Sequence, residues 1–283
     1  MQVQILFDRL RWEEKALRDE AGSLGAVATL TDVKGLAFEV SRSDASRVPS
    51  IALQRCISHQ RALLISRVLE GRGVRVVNPA SVAETCGNKL ATTIALARAK
   101  VPTPRTMVAM SSEGVLGAAE ELGFPVVLKP FSGSWGRMVT IVRDKETLQS
   151  VVELREELPN PMEHMFYIQE CVRRPPRDIR AVVAGDRIVA CVFRHAPEGE
   201  WRTNVARGGR SEAFKPDSAL EETVLRAAAC VGGGVLGVDA MESDGGYLVH
   251  EVNNTVEFRG AQGAVSWSIP RKIMEYVVSE AKK

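Results

Sequence analysis

The twenty residues Val235–Asn254, VLGVDAMESDGGYLVHEVNN, constrain the fold more than any other segment. Two strand-like runs, Val235–Met241 and Tyr247–Val252, flank Ser243-Asp244-Gly245-Gly246. Asp-Gly and Gly-Gly are strong short-range signals for a β-hairpin. A turn centred near Gly245 pairs Asp239 with Glu251, and Asn253 shares the Glu251 face because side chains alternate along a strand. Like charges directly opposed destabilise a sheet unless a cation lies between them, and oxygen ligands of this kind suit Mg²⁺. The competing reading of the same residues is an exposed hairpin with scattered acids.

The 283 residues suffice for one large domain or two to three small ones. A hydrophobic share of 45% and a charged share of 25% are those of a globular protein, and a net charge of +2 argues against a nucleic-acid partner. No apolar run approaches the ~18 residues of a membrane span, and the N-terminus lacks the apolar core of a signal peptide. Five cysteines without a CxxC pair read as free thiols, which implies a cytoplasmic location. The four histidines (His59, His164, His195, His250) form no metal-type cluster and read as structural or solvated.

Strands at Gln2–Phe7, Ala26–Leu30 and Val74–Val77 alternate with helices at Glu13–Ser23 and Gln60–Gly71, the second carrying an apolar stripe of Leu63, Leu64, Val68 and Leu69. This alternation predicts a parallel α/β domain. Ser81 and Glu84 read as a capping box opening a helix to about Ala99. The remainder reads as α+β: a strand at Phe124–Lys129 pairs with Met138–Val142, another runs over Phe166–Val172, and Arg180–Ala184 forms a hairpin with Arg187–Phe193.

Three further segments carry potential chemistry. Lys129-Pro130 ends a strand and leads into Phe131-Ser132-Gly133-Ser134-Trp135-Gly136-Arg137. Such a glycine-rich loop exposes backbone N–H groups to phosphates, although the Walker A and Rossmann patterns are both absent. A plain hairpin turn is the alternative. Gln169-Glu170 closes a strand whose end can offer backbone groups to a flat heterocycle. Arg177-Asp178-Ile179-Arg180 places Asp178 and Arg180 on one strand face, with Arg194 able to reach it from the next strand. No nucleophile–base triad, GxSxG or HExxH occurs.

Together these pieces resemble the ATP-grasp fold: an α/β protein in which Lys89, Lys129 with its loop, Gln169-Glu170 and Asp239…Glu251-x-Asn253 follow in that order. Within that fold the chain looks most like the carrier-protein ligases of lysine and arginine biosynthesis, the LysX/ArgX type, and is similar to RimK. The likeness rests on LQRCISHQRAL (53–63), CGNKLATTIALARAK (86–100), PVVLKPFSGSWGR (125–137), MFYIQECVRRPPRDIR (165–180), TNVARGG (203–209) and EVNNTVEF (251–258). It implies a pre-ATP-grasp domain over 1–88, a central subdomain over 89–169 and a C-terminal subdomain over 170–283.

The resemblance also implies roles. Lys89 and Lys129 match phosphate-contacting lysines, and Gly133, Ser134, Trp135, Gly136 and Arg137 match the phosphate lid. Gln169, Glu170, Cys171 and Val172 match the adenine hinge, Asp178 the residue near the ribose, and Arg202 and Asn204 a further nucleotide segment. Arg180, Arg194 and Lys129 are the candidate catalytic groups. Arg194, Val205, Ala206, Asn254, Glu257, Gly260 and Ala261 are candidates for substrate. Asp239, Glu251 and Asn253 match Mg²⁺ ligands, with Mn²⁺ as an alternative ion. The implied reaction uses ATP to activate the C-terminal glutamate of a small acidic carrier protein, LysW, as an acyl phosphate, which the α-amino group of α-aminoadipate or glutamate attacks. Arg259-Gly260-Ala261 after Glu257-Phe258 leaves the acceptor open between these two and both. A homo-oligomer is the expected assembly. The alternatives are a RimK-like glutamate ligase acting on another protein or small molecule, and a nucleotide-binding protein without turnover.

Overall fold

The structure, a computed structural model, describes residues 1–41, 49–133, 136–201, 203 and 209–283. It opens with the parallel α/β unit: β1 (Gln2–Phe7), α1 (Trp12–Ser23), β2 (Val27–Asp32), β3 (Ile51–Gln54), α2 (His59–Glu70) and β4 (Val76–Val77). The strand order is β2-β1-β3-β4, all pairs parallel. The apolar stripe expected on α2 is met in part: Leu69 is buried and Leu63 and Val68 are half-buried, but Leu64 is exposed and Ala62, Ile65 and Ser66 complete the inward face. Ala62 and Ser66 are small enough for the helix to lie close to the sheet, and a hydrophobicity pattern alone does not register that.

The single helix expected from Ser81 to Ala99 is two: α3 (Ala80–Cys86) and α4 (Lys89–Arg98). The capping box does not form. The break falls at Gly87-Asn88, where the Asn88 carboxamide accepts from the N–H groups of Leu90 and Ala91. That cap makes Lys89 the first residue of a new helix.

The middle of the chain folds as β5 (Thr106–Ala109), α5 (Ser112–Leu122), β6 (Val126–Lys129), β7 (Thr140–Val142), α6 (Lys145–Glu156) and β8 (Phe166–Glu170), with sheet order β5-β8-β6-β7. The rest forms a second antiparallel sheet of β9 (Arg177–Ala184), β10 (Arg187–His195), β11 (Arg210–Ala213), β12 (Val235–Ser243) and β13 (Gly246–Asn253), in the order β11-β10-β9-β12-β13. Helix α7 (Ser218–Cys230) covers one face of this sheet. The other face shares a core with the N-terminal sheet, α8 (Arg259–Gln262) and α9 (Ile269–Glu280), where Val3, Ile5 and Leu53 join Val182, Val192, Met274 and Val277. Among the described residues no helix is long and apolar enough to cross a membrane.

Beside this shared core, one buried polar side chain ties the N-terminal domain to the C-terminal sheet. The Asn78 carboxamide donates to the carbonyl oxygens of Val235 (2.8 Å) and Asn254 (2.7 Å) and accepts from the Val235 N–H (2.6 Å). Removing a partner so that buried backbone groups are left unsatisfied costs about 1–3 kcal/mol each. Asn78→Ala is therefore expected to lower stability by about 3 kcal/mol or more, read as a fall in the urea midpoint; Asn78→Asp, which keeps the size but loses both donors, should fall by a similar amount.

Candidate active site

The expected pairing of Asp239 with Glu251 is present, but the hairpin reaches it by another route. The turn is Asp244-Gly245, with Ser243 paired to Gly246, so its centre lies before Gly245. A regular ladder from that turn sets Asp239 opposite His250. A bulge intervenes: Ala240 pairs with Val249 and Asp239 with Glu251, which leaves His250 as the extra residue. On its other side Asp239 pairs with Arg180 of β9, so Arg180, Asp239 and Glu251 form one row across three strands.

Asp239 is 2% exposed. Arg180 grips both its oxygens, one through Nε and the other from Nη2 at 2.8 Å, and Arg194 adds a contact at 3.2 Å. Asn253 Nδ2 lies 3.4 Å from the same carboxylate. Gly237, beside this pair, is bare because a Cβ there would sit 2.7 Å from Val256. Burial alone would raise the carboxyl pKa of Asp239; the guanidiniums of Arg180 and Arg194 outweigh it and hold it well below the usual carboxylate range. Arg194 in turn forks onto Asp178 with two 2.8 Å bonds, and the Thr203 hydroxyl donates to Asp178 as well.

Glu251 has its own cation. Lys89 Nζ donates to it at 2.9 Å and to the Gly133 carbonyl at 3.1 Å. The Lys89 N–H also bonds the Phe131 carbonyl at 2.8 Å, which ties the start of α4 to the loop after β6. Burial raises the Glu251 pKa, Lys89 lowers it, and the net direction is down. Lys129 ends β6 almost wholly buried, donating to Gln169, which donates onward to Thr106. Burial, then repulsion from Lys89, brings the Lys129 ammonium down to about 8.

Two clefts meet at this row. The first, of about 410 Å³, runs between the two antiparallel sheets; Lys129, Gly133, Gly136 and Arg137 line one side and Asp178, Arg194 and Met241 another, with Gln169–Val172 along its edge. The second, of about 1050 Å³, runs between the N-terminal domain and the segment after β13. Lys89, Gly133, Arg194, Asp239 and Glu251 line both. The candidate residues Ser134, Trp135, Arg202, Asn204, Val205 and Ala206 lie outside the described residues.

The candidate acceptor segment is held by the N-terminal domain residue by residue. Asn254 bonds Asn78, and the Thr255 hydroxyl lies 3.1 Å from the Cys56 carbonyl and 3.2 Å from Gln54 Oε1. Glu257 accepts from Arg11 at 3.0 Å. Phe258 is buried, edge-on to Trp12 and beneath the Arg55 guanidinium. The Arg259 N–H lies 3.3 Å from Glu13 Oε1. Gly260 and Ala261 line the second cleft, Ala261 mostly buried in the core.

Two contributors escaped the sequence reading. His250 was read as structural or solvated, yet it lines the first cleft with Nε2 buried and unpartnered. Burial, then the charge of Lys129, pushes it down to about 4. The bulge that aims it there leaves no composition signal. Arg11 drew no reading; it clamps both Glu14 and Glu257, and an arginine before a helix is no recognised cap signal.

A parallel α/β domain followed by two antiparallel sheets that clasp a cleft is the ATP-grasp architecture. Residues 86–277 match the RimK-like ATP-grasp domain and residues 3–85 the LysX preATP-grasp domain. The chain is 35% identical to the glutamate–LysW ligase ArgX of Sulfurisphaera tokodaii over 285 aligned positions, 100% of both chains. It is 36% identical to the α-aminoadipate–LysW ligase LysX of Saccharolobus solfataricus over 275, covering 96% of this chain and 99% of that one. A RimK domain ATP-grasp protein from Sphaerobacter thermophilus superposes with a TM-score of 0.78 at 27% identity, covering 98% of this chain and 100% of that one. The chain belongs to the RimK-like ATP-grasp family, in the branch that carries the LysX preATP-grasp domain.

Another buried carboxylate, Glu14, contacts Arg11 at 2.7 Å and Arg55 at 3.3 Å. Burial raises its pKa and the two guanidiniums, Arg55 first, bring it below the ordinary value. A carboxylate with a depressed folded-state pKa stabilises the fold above its unfolded pKa and loses that contribution as pH falls. The urea midpoint should therefore begin to fall below about pH 6.5, where the unfolded chain protonates the imidazole that the fold keeps neutral at His250, and fall more steeply below about pH 5 as Glu14, Glu251 and Asp239 titrate. Glu14→Gln should lower the plateau by roughly 3 kcal/mol and shallow the acid limb.

Proposed function

We propose that this chain is an ATP-dependent carboxylate–amine ligase. It joins the C-terminal glutamate side chain of a small acidic, LysW-like carrier protein to the α-amino group of glutamate, α-aminoadipate or both, with release of ADP and phosphate. The observation that carries the reading is the meeting of two clefts on one row of carboxylates and cations. The full-length likeness to LysW ligases of both acceptor types supports the substrate class. The division 1–88, 89–169 and 170–283 goes with this reading, supported by one sheet in each.

ATP belongs in the first cleft, whose size suits a nucleotide. The edge formed by Gln169, Glu170, Cys171 and Val172 takes the adenine, with Asp178 on the ribose side. Lys89, Lys129 and the loop Gly133–Arg137 bind phosphates, and Arg202 and Asn204 extend the nucleotide segment. Val205 and Ala206 join Asn254, Glu257, Gly260 and Ala261 on the acceptor side. Asp239, Glu251 and Asn253 hold the metal. Two ionised carboxylates and a carboxamide form a hard oxygen set that fits Mg²⁺, which keeps places for phosphate oxygens and water; Mn²⁺ is the other candidate. When bound, the ion neutralises phosphate charge and acts as a Lewis acid.

The protein's own part is positioning and charge. Lys89, Arg180 and Arg194 place three cations at the junction of the clefts, where a phosphoryl group passing from ATP to a carboxylate carries its charge. Arg180 and Arg194 are pre-aimed by bidentate pairing and cost no reorganisation. The narrow junction shields the acyl phosphate from water until the amine arrives from the second cleft.

ADP release should require Mg²⁺, the carrier and an acceptor together, and the carrier should gain the residue mass of glutamate or aminoadipate by mass spectrometry. Release that ignores both acceptors would sink the assignment. Asp239→Ala should cost at least about a hundredfold in turnover, while nucleotide affinity falls far less.

Phosphate contact favours the charged form of Lys129, whose free-state value is about 8. Binding above that pH therefore takes up a proton, and ATP affinity should fall as pH rises past about 8, by up to tenfold per unit. Below it this group adds no pH dependence. Calorimetry in buffers of different ionisation heat reads the uptake, and Lys129→Met should abolish it.

A further inference from the structure

Two cations line both clefts among the described residues, and they are placed by different means: Arg194 stands on a strand, whereas Lys89 opens a helix. A strand residue is located by its ladder. The first residue of a helix is located by its cap and by whatever the chain before the cap rests on. For α4 the cap is Asn88, and the residue before it is Gly87, at the end of α3.

Gly87 rests on His59. A Cβ added at Gly87 would fall on the imidazole, 2.5 Å from Nε2 and closer still to Cε1 and Nδ1. The backbone there, at φ −75°, suits any residue, so it is the ring and not the main chain that requires glycine. His59 is fixed from behind. It is the first residue of α2, after Ser58, whose hydroxyl accepts from the Arg61 N–H at 3.4 Å. The Asp8 carboxylate accepts from the N–H groups of Ile57 (2.9 Å) and Ser58 (3.0 Å). His59 Nδ1 is buried with no partner among the described residues, so packing, not a bond at that nitrogen, holds the ring on the glycine. Beyond Gly87, the Lys89 N–H meets the Phe131 carbonyl, and its ammonium meets Glu251 and the Gly133 carbonyl. The contacts run unbroken from the end of β1 to the Lys89 ammonium.

We infer that His59 is a positioning residue for Lys89: its imidazole, seated on Gly87, fixes where α4 restarts and so where the Lys89 ammonium stands between Glu251 and the loop after β6. This rests on the reading of Lys89 as a phosphate contact and deepens it. Nucleotide binding in the first cleft then depends on a ring that lines only the second. Emptying the place of the ring lets the joint between α3 and α4 settle towards α2 and takes the ammonium out of line. A misplacement of about 1 Å is enough to cost a positioned group much of its effect. A flat group of the same reach keeps the joint where it is.

The test is the ATP affinity of the full chain with Mg²⁺, read by calorimetry, which needs neither carrier nor acceptor. Lys89→Met, which removes a charged contact, should weaken ATP about tenfold. His59→Ala should weaken it about fivefold in the wild-type background and less than about twofold in Lys89→Met, because the group it places is gone. His59→Gln, whose planar amide reaches over the glycine, should stay within about twofold of wild type. Gly87→Ala, which drives the ring away, should weaken ATP about as much as His59→Ala, and the two together should lose less than their sum. Where His59→Ala does not fold, Gly87→Ala with and without Lys89→Met carries the same comparison. A loss that persists undiminished in Lys89→Met overturns the inference, as does a lower urea midpoint with wild-type ATP affinity, which is the mark of a merely structural contact. A raised carrier or acceptor KM with unchanged ATP affinity overturns it as well, by making His59 a contact of the second cleft. Unchanged ATP affinity in Lys89→Met itself overturns the phosphate reading of Lys89 first and this inference with it.

Discussion

Two carboxylates face each other across neighbouring strands at the centre of this protein, and much of the surrounding structure answers their repulsion. At the roughly 4.5–5.5 Å between opposed cross-strand Cβ atoms, two such charges repel by about 3 kcal/mol at an effective dielectric constant of about 20. That exceeds the worth of any one cross-strand contact, so the arrangement survives only with a cation on each side. Arg180 and Arg194 serve Asp239, and Lys89 serves Glu251. Arg180 arrives by strand register, Arg194 from the neighbouring strand β10, and Lys89 by a helix restarted at Asn88. A row that needs this much compensation is retained for what else those charges can hold.

The rest of the architecture fixes what lies on either side of that row. Asn78 locks the end of the N-terminal sheet to the start of β12 and to the chain leaving β13. The last helix, α9, returns to pack in the core it shares with β1 and β3. The second cleft is therefore walled by both ends of the chain, whereas the first is walled by the middle. The two clefts are built from different parts of the sequence and share only the residues at their junction.

The hairpin was legible because its signals are local: two apolar runs, a turn dipeptide and acids at countable distances. The bulge at His250 was not, because one extra residue on one strand changes neither composition nor alternation enough to mark it. The pairing of Asp239 with Glu251 was anticipated from a turn centre that the structure does not have, and the bulge supplies the missing step. Gly87-Asn88 carried a readable cap, yet the competing Ser81…Glu84 pattern suggested an uninterrupted helix. Strands β5 and β11 went unread because each is a short piece that gains its partner only from a distant segment: Thr106 pairs with Gln169, and Arg210 with His195. In the site, the reach of Arg194 to the Asp178 face was visible from the hairpin, while the pairing of Arg180 with Asp239 was not. Asp178 and Arg180 share a strand, but each takes its ion partner from another: Arg194 and Asp239.

Under the proposed ligase reading, the α8 wall of the second cleft shows why sequence is a weak guide to substrate length. Glutamate and α-aminoadipate differ by one methylene, worth about 1–3 kcal/mol in an apolar pocket. Gly260 offers no side chain, and that of Ala261 is mostly buried in the core. Discrimination on this wall then depends on where α8 stands relative to Asp239 and Glu251. That position is set by Asn78, Arg11, Trp12 and Arg55, all in the N-terminal domain and distant in sequence from the segment they hold. Residues distant in sequence therefore set how much room this wall leaves in the second cleft.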